Sequence, residues 1–171
     1  LDCKMLYNKI RKGKIQTMKA MIIYYSKTGN TEKLAKRIQK DFHCEMLKVE
    51  PEDPYGNYVS SLVRVNKERK NKVPVQSVTP VPDLSAYDTV FIGYPIWYMN
   101  PPEFLSDFIS RCSLEGKTVI PFATCGLANV SKTLPAIKRA CPKSQVVHPF
   151  NYGIAKKDNY DDWVHSLKQI N

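Results

Sequence analysis

From Met18 onward, short apolar runs alternate with stretches whose apolar residues recur at helical spacing, and that alternation leaves few folds open. Ala20 to Tyr25 predicts a strand, and Thr31 to Phe42 a helix with Leu34, Ala35, Ile38 and Phe42 on one side. Cys44 to Val49 predicts strand two, and Tyr58 to Lys70 a second helix that turns Val59, Leu62 and Val63 inward. Asn71 to Ala86, with its prolines, predicts an extended connection. Asp88 to Tyr94 suits a strand covered on both faces, as parallel strands are. Helix three starts at Pro101 or Pro102, where proline fits a first turn, and lines up Phe104, Leu105, Phe108, Ile109 and Cys112. Thr118 to Thr124 and about Gln145 to Phe150 predict strands four and five. The helices after them present Val130, Leu134, Ile137 and Cys141, then Trp163, Val164, Leu167 and Ile170. Right-handed crossovers make this an α/β fold, a doubly wound three-layer sandwich on a five-stranded parallel sheet. Pattern alone leaves the strand order open. With 171 residues the chain fits one domain, 18–171, preceded by an N-terminal extension, 1–17, outside the fold.

Where strand one hands over to helix one, the chain reads Ser26-Lys27-Thr28-Gly29-Asn30-Thr31. Three hydroxyls, an amide, a lysine and a glycine crowd the N-terminus of a helix, whose N–H groups and dipole attract an anion. Glycine lets the backbone close on a ligand. Neither G-x-x-x-x-G-K-[ST] nor G-x-G-x-x-G is present, so a single phosphate is the expected ligand. An ordinary Ser/Thr-rich helix cap is the structural alternative.

Two later loops are equally unusual. Gly93-Tyr94-Pro95-Ile96-Trp97-Tyr98-Met99-Asn100-Pro101-Pro102 places adjacent aromatic rings between prolines, suited to stacking on a flat ring. Ala123-Thr124-Cys125-Gly126-Leu127-Ala128-Asn129 is made of small residues that admit close approach. Together with Tyr25 to Thr31, these segments resemble the flavodoxin family, in particular a flavodoxin-like subfamily with G-Y-P-I-W after strand three and P-F-x-T in strand four. Tyr87-Asp88 and Gly116-Lys117 match as well. The resemblance implies strand order 2-1-3-4-5, which brings the loops after strands one, three and four to one rim at a topological switch point. It also implies FMN as cofactor. Its phosphate would lie on Ser26, Lys27, Thr28, Gly29, Asn30 and Thr31, with Lys27 either adding charge or facing solvent. Trp97 is the expected stacking group on the flavin, with Tyr98 on the other face or at the rim. Pro95 and Ile96 would shape the loop, and Thr124, Cys125 and Gly126 would border the pyrimidine end. Met99 stands where that subfamily commonly has glycine, and Leu127 and Ala128 replace a glycine-rich run.

Charge separates this chain from acidic flavodoxins: the formal net charge is +10, of which residues 1–17 carry +4. The cluster Arg64, Lys67, Arg69, Lys70 and Lys72 is expected to be a solvated helix face, so neither nucleic acid nor membrane is an expected partner. Five scattered cysteines and three scattered histidines outline no zinc site, disulfide framework or C-x-x-C motif. Cys125 is expected to pack rather than to act as a nucleophile. No apolar run approaches the ~20 residues of a membrane span, and 1–17 lacks the apolar core of a signal peptide, so a cytoplasmic location is the expectation. Three functions follow from the resemblance: electron carriage between redox partner proteins, an FMN-dependent NAD(P)H oxidoreductase acting on quinones or similar small acceptors, and a flavin-free binding module.

Overall fold

In the computed structural model, residues 18–71, 76–153 and 158–170 are described. Residues 1–17, expected to be an extension and including Cys3, lie outside them, as do Lys72 and Pro74 and the side chains of Val59, Leu62, Arg69, Lys70 and Ile170. The elements are β1 (Ala20–Tyr24), α1 (Asn30–Phe42), β2 (Glu45–Lys48), α2 (Tyr58–Asn71), β3 (Thr89–Pro95), α3 (Glu103–Arg111) and β4 (Thr118–Cys125). A 3-10 turn (Val130–Lys132), α4 (Leu134–Ala140), β5 (Gln145–Val146), β6 (Phe150–Gly153) and α5 (Tyr160–Ile170) complete the order.

Every strand pair is parallel, in the order β2-β1-β3-β4-β5, with β6 also beside β4. Successive β1 side chains enter opposite layers. Met21, Ile23 and Tyr25 join Val90, Ile92 and the α3 residues Phe104, Leu105, Phe108 and Ile109. Ala20, Ile22 and Tyr24 join Phe91 and Phe122 with Leu34, Ala35 and Ile38 of α1 and Val164 and Leu167 of α5. The close pairing of the central strands explains Gly93: a Cβ there would lie 2.1 Å from the Phe122 ring across the β3–β4 pair.

Two expectations are corrected. Strand five is not continuous from Gln145 to Phe150. Val119 pairs with Val146 and Phe122 with Phe150, so the outer strand spends one more residue than β4 over the same span. That is a bulge, and it falls where His148 adopts φ 49° and Pro149 has no N–H to pair. In α2, Val63 is 66% exposed, and among the described side chains of this helix Ser61, Val65 and Glu68 are the ones turned inward. A glutamate on the inner face is tolerated because Tyr55 and Arg64 bond to it. Arg64 therefore belongs to a bonded cluster rather than to a solvated face, whereas Lys67 is exposed. Among the described residues no helix is long and apolar enough to cross a membrane.

Candidate functional site

β1 ends on Tyr24, and the chain turns through Ser26 to Gly29 into α1. Gly29 holds φ 83°, where an L side chain is strained, and a Cβ there would meet nothing within 4 Å, so the turn is open on the outside. No side chain caps α1, which removes the ordinary Ser/Thr cap as the explanation of the turn's composition. Glu32 in the first helical turn is drawn aside to Lys36 at 2.7 Å, and that hydrogen bond holds its carboxyl below the usual range. Asn30 donates from Nδ2 to Thr28 Oγ1 (3.3 Å), both exposed. The Oγ of Ser26 is buried with no hydrogen-bond partner. A buried hydroxyl left unpaired costs about 1–3 kcal/mol, so this atom marks a place for an acceptor from outside the chain. Lys27 aims neither at the turn nor at solvent: its Nζ donates to the carbonyl oxygen of Tyr55 in the loop between β2 and α2.

The loop after β3 lies beside this turn. Tyr25 N donates to Gly93 O (2.9 Å), and Ile96 N to Thr124 O (3.0 Å). Trp97 and Asn100 exchange both backbone bonds, at 2.9 and 3.0 Å, around Tyr98 and Met99 at φ 46° and 63°. Two successive left-handed residues make a tight mirror-image turn that ordinarily takes Asn-Gly, and here both positions carry large side chains. Asn100 Nδ2 braces the turn on Tyr98 O (3.0 Å).

This turn corrects the expectation for Trp97. Its indole is 5% exposed and packs edge-on against Tyr25 (5.7 Å between ring centroids) and Tyr55 (5.0 Å), so it belongs to the core under the loop. The rings and chains presented outward are Tyr98, 45% exposed, and Met99, 52% exposed. Pro95 and Ile96 are half-buried and carry the chain from the sheet to the turn.

Thr124 closes the third side. Its Oγ1 lies 2.8 Å from Thr31 Oγ1, with both hydroxyls buried, so the first turn of α1 and the end of β4 touch. Half-buried Cys125 donates from Sγ to Ala128 O (2.7 Å), and Asn151 Nδ2 lies 3.7 Å from the sulfur. Gly126 is exposed, with nothing within 4 Å of a would-be Cβ, and Leu127 beyond it is 87% exposed. Ser26, Gly29, Thr31, Ile96, Tyr98, Thr124 and Gly126 thus belong to one rim at the carboxyl ends of β1, β3 and β4. Burial pushes the phenols of Tyr25 and Tyr55 up, and both stay protonated. The segments 93–102, 124–129 and 150–153 contain no charged residue, although a quarter of the whole chain is charged.

Sequence reasoning missed Tyr55, Arg64 and Glu68. The available signals were a lone aromatic in the turn-rich Pro51–Gly56 stretch and a lone acid in a basic helix.

A family model described as Flavodoxin matches residues 19–167. No curated protein matches the chain. Among solved structures, a Bacteroides uniformis protein described as a flavoprotein is similar over 88% of this chain and 99% of its own, at 25% identity and a TM-score of 0.76. A counterpart from Bacteroides eggerthii, described in the same terms, is 25% identical over 89% and 96%, with a TM-score of 0.74. A Lactobacillus acidophilus flavoprotein in complex with FMN shares the fold at 19% identity over 85% and 98%, with a TM-score of 0.65.

Proposed function

Because the chain belongs to the flavodoxin family, we propose that its three-loop rim binds FMN and that the protein carries electrons between redox partners. The observation that carries this reading is the buried, unpaired Ser26 hydroxyl beside the uncapped N-terminus of α1. A phosphate oxygen is the acceptor that such a hydroxyl and such a helix end both favour. Ser26 donates to the phosphate from inside, Thr28 and Asn30 from the exposed side, and Gly29 keeps the approach clear. Lys27 contributes its charge at a distance, since its ammonium is engaged by Tyr55 O. Tyr98 covers the ring, Pro95 and Ile96 hold the loop that carries it, and Thr124, Cys125 and Gly126 border the far end. The bound flavin supplies the redox chemistry, and the chain supplies binding, orientation and exclusion of water.

The lack of charged residues in segments 93–102, 124–129 and 150–153 favours a second reading. Carriers that dock on proteins gain rate and register from complementary charge. The uncharged segments around Tyr98, Met99, Leu127 and Tyr152 suit instead an FMN-dependent oxidoreductase that takes electrons from NAD(P)H and passes them to a quinone or similar uncharged small acceptor. FMN titration followed by flavin fluorescence tests the cofactor, and a protein that leaves the fluorescence unchanged refutes it. Mixing the loaded protein with NADPH then separates the two readings. Bleaching without a partner reductase supports the oxidoreductase, and its absence supports the carrier.

A further inference from the structure

Tyr55 touches two of the three loops without belonging to any of them. Its carbonyl oxygen accepts from Lys27 Nζ in the phosphate turn, and its ring packs on Trp97, at the base of the turn that presents Tyr98. The same ring lies 5.9 Å from Phe104 of α3 and 6.4 Å from Tyr25. What fixes Tyr55 comes from α2. Its hydroxyl donates to Oε2 of buried Glu68 (2.9 Å), and Arg64 Nε holds Oε1 of the same carboxylate (2.5 Å). Arg64 lies over the Tyr55 ring at 4.4 Å and reaches the Asp53 carboxylate at 2.8 Å, tying down the loop in which Tyr55 sits. A buried carboxylate facing into a helix–sheet interface is costly unless bonded, and here its bonds run to the side chain that joins the two loops.

We infer that Tyr55, held by Glu68 and Arg64, is a positioning residue for FMN, setting the phosphate turn and the Trp97–Asn100 turn at the separation the cofactor requires. The inference rests on the FMN reading above. Loops held to within a fraction of an ångström by such a supporting layer bind without first having to order.

The fold contains its own control. Tyr160 donates to Asp41 Oδ2 (2.8 Å) beneath Arg37, which lies 3.9 Å from its ring centre. A phenol, a carboxylate and a guanidinium recur there on α1 and α5, although Arg37 pairs with Asp158 and Asp161 rather than with Asp41. Tyr55→Phe and Tyr160→Phe remove the same atom from the same kind of bond, so a purely structural role predicts some loss of thermal stability and no change in FMN affinity for either. The positioning role predicts that Tyr55→Phe raises the FMN Kd about tenfold, the size of one hydrogen bond to a charged acceptor, while Tyr160→Phe leaves it within about twofold. Glu68→Ala, which also releases Arg64, should weaken FMN at least as much as Tyr55→Phe, and Glu68→Gln, which keeps an acceptor for the phenol, should recover most of the affinity. Adding Tyr55→Phe to Glu68→Ala should weaken binding no further, because the phenol acts only through that carboxylate. Equal FMN affinity in wild type, Tyr55→Phe and Glu68→Ala would overturn the inference and leave the FMN reading intact. A wild-type protein that binds no FMN removes both.

Discussion

Trp97 and Tyr98 are neighbours in the chain and should fail in opposite ways. The Trp97 indole is almost wholly buried between Tyr25 and Tyr55. Burying a ring of that size removes roughly 150–250 Å² from water, about 4–6 kcal/mol at ~25 cal/mol per Å². Truncation to alanine in a core costs about 3–5 kcal/mol, a large share of the ~5–15 kcal/mol that holds a domain together. Trp97→Phe keeps a ring between the two tyrosines and should cost about 1–2 kcal/mol. Tyr98 is half-exposed, so Tyr98→Ala should change stability by about 0.5 kcal/mol or less. If its ring covers the flavin, the same substitution removes about 1–3 kcal/mol of stacking, roughly a 5- to 150-fold rise in the FMN Kd. Urea unfolding of the flavin-free proteins and fluorescence titration with FMN measure the two quantities independently. The expected pattern is crossed: Trp97→Phe lowers the urea midpoint, and Tyr98→Ala lowers affinity. Unchanged FMN affinity in Tyr98→Ala would refute the assignment of the stacking face, and an unshifted midpoint in Trp97→Phe would refute the burial argument.

Ser26→Ala should also act with opposite signs, raising the stability of the flavin-free protein by up to about 1 kcal/mol because an unpaired buried hydroxyl is gone, and weakening FMN about tenfold. At Met99, φ 63° makes glycine cheaper than any branched residue, so Met99→Gly should be neutral to about 0.5 kcal/mol stabilising and Met99→Val about 1–2 kcal/mol destabilising in thermal melts; the reverse order would contradict the left-handed turn. Burial pushes the thiols of Cys44 and Cys112 up to about 11, whereas in the unfolded chain they ionise near pH 8.5. The unfolded state therefore loses protons first, and the urea midpoint should hold up to about pH 8 and fall as the pH rises toward about 11. A midpoint still flat at pH 10 would contradict this.

The layers were legible because parallel strands buried on both faces read as unbroken apolar runs. Ile22-Ile23 and Val90-Phe91-Ile92 could hardly be anything else. Strand order came only from the family resemblance, since every crossover in such a fold has the same local pattern. Val63 of α2 was misread because hydrophobicity favours it over Glu68, and only Tyr55 and Arg64, close in space, make the glutamate the better inward residue. The bulge in the outer strand left a single local trace, His148-Pro149, because a one-residue slip does not alter which residue types are used. Trp97 was misplaced for a similar reason. A turn built on Tyr98 and Met99 lacks the glycine that announces it, so nothing nearby reveals that the chain reverses there and tucks the indole underneath.

The Thr31–Thr124 pair has one property that a salt bridge or a backbone bond in its place would lack. At 2.8 Å apart, either oxygen can be the donor. Reversing the pair moves only hydrogen atoms, yet it exchanges which threonine keeps a lone pair to spare and which a proton to share. At this junction between helix and sheet, the protein can thus answer a change in a neighbour's hydrogen-bonding character by rotating two hydroxyls, with no displacement of the backbone on either side.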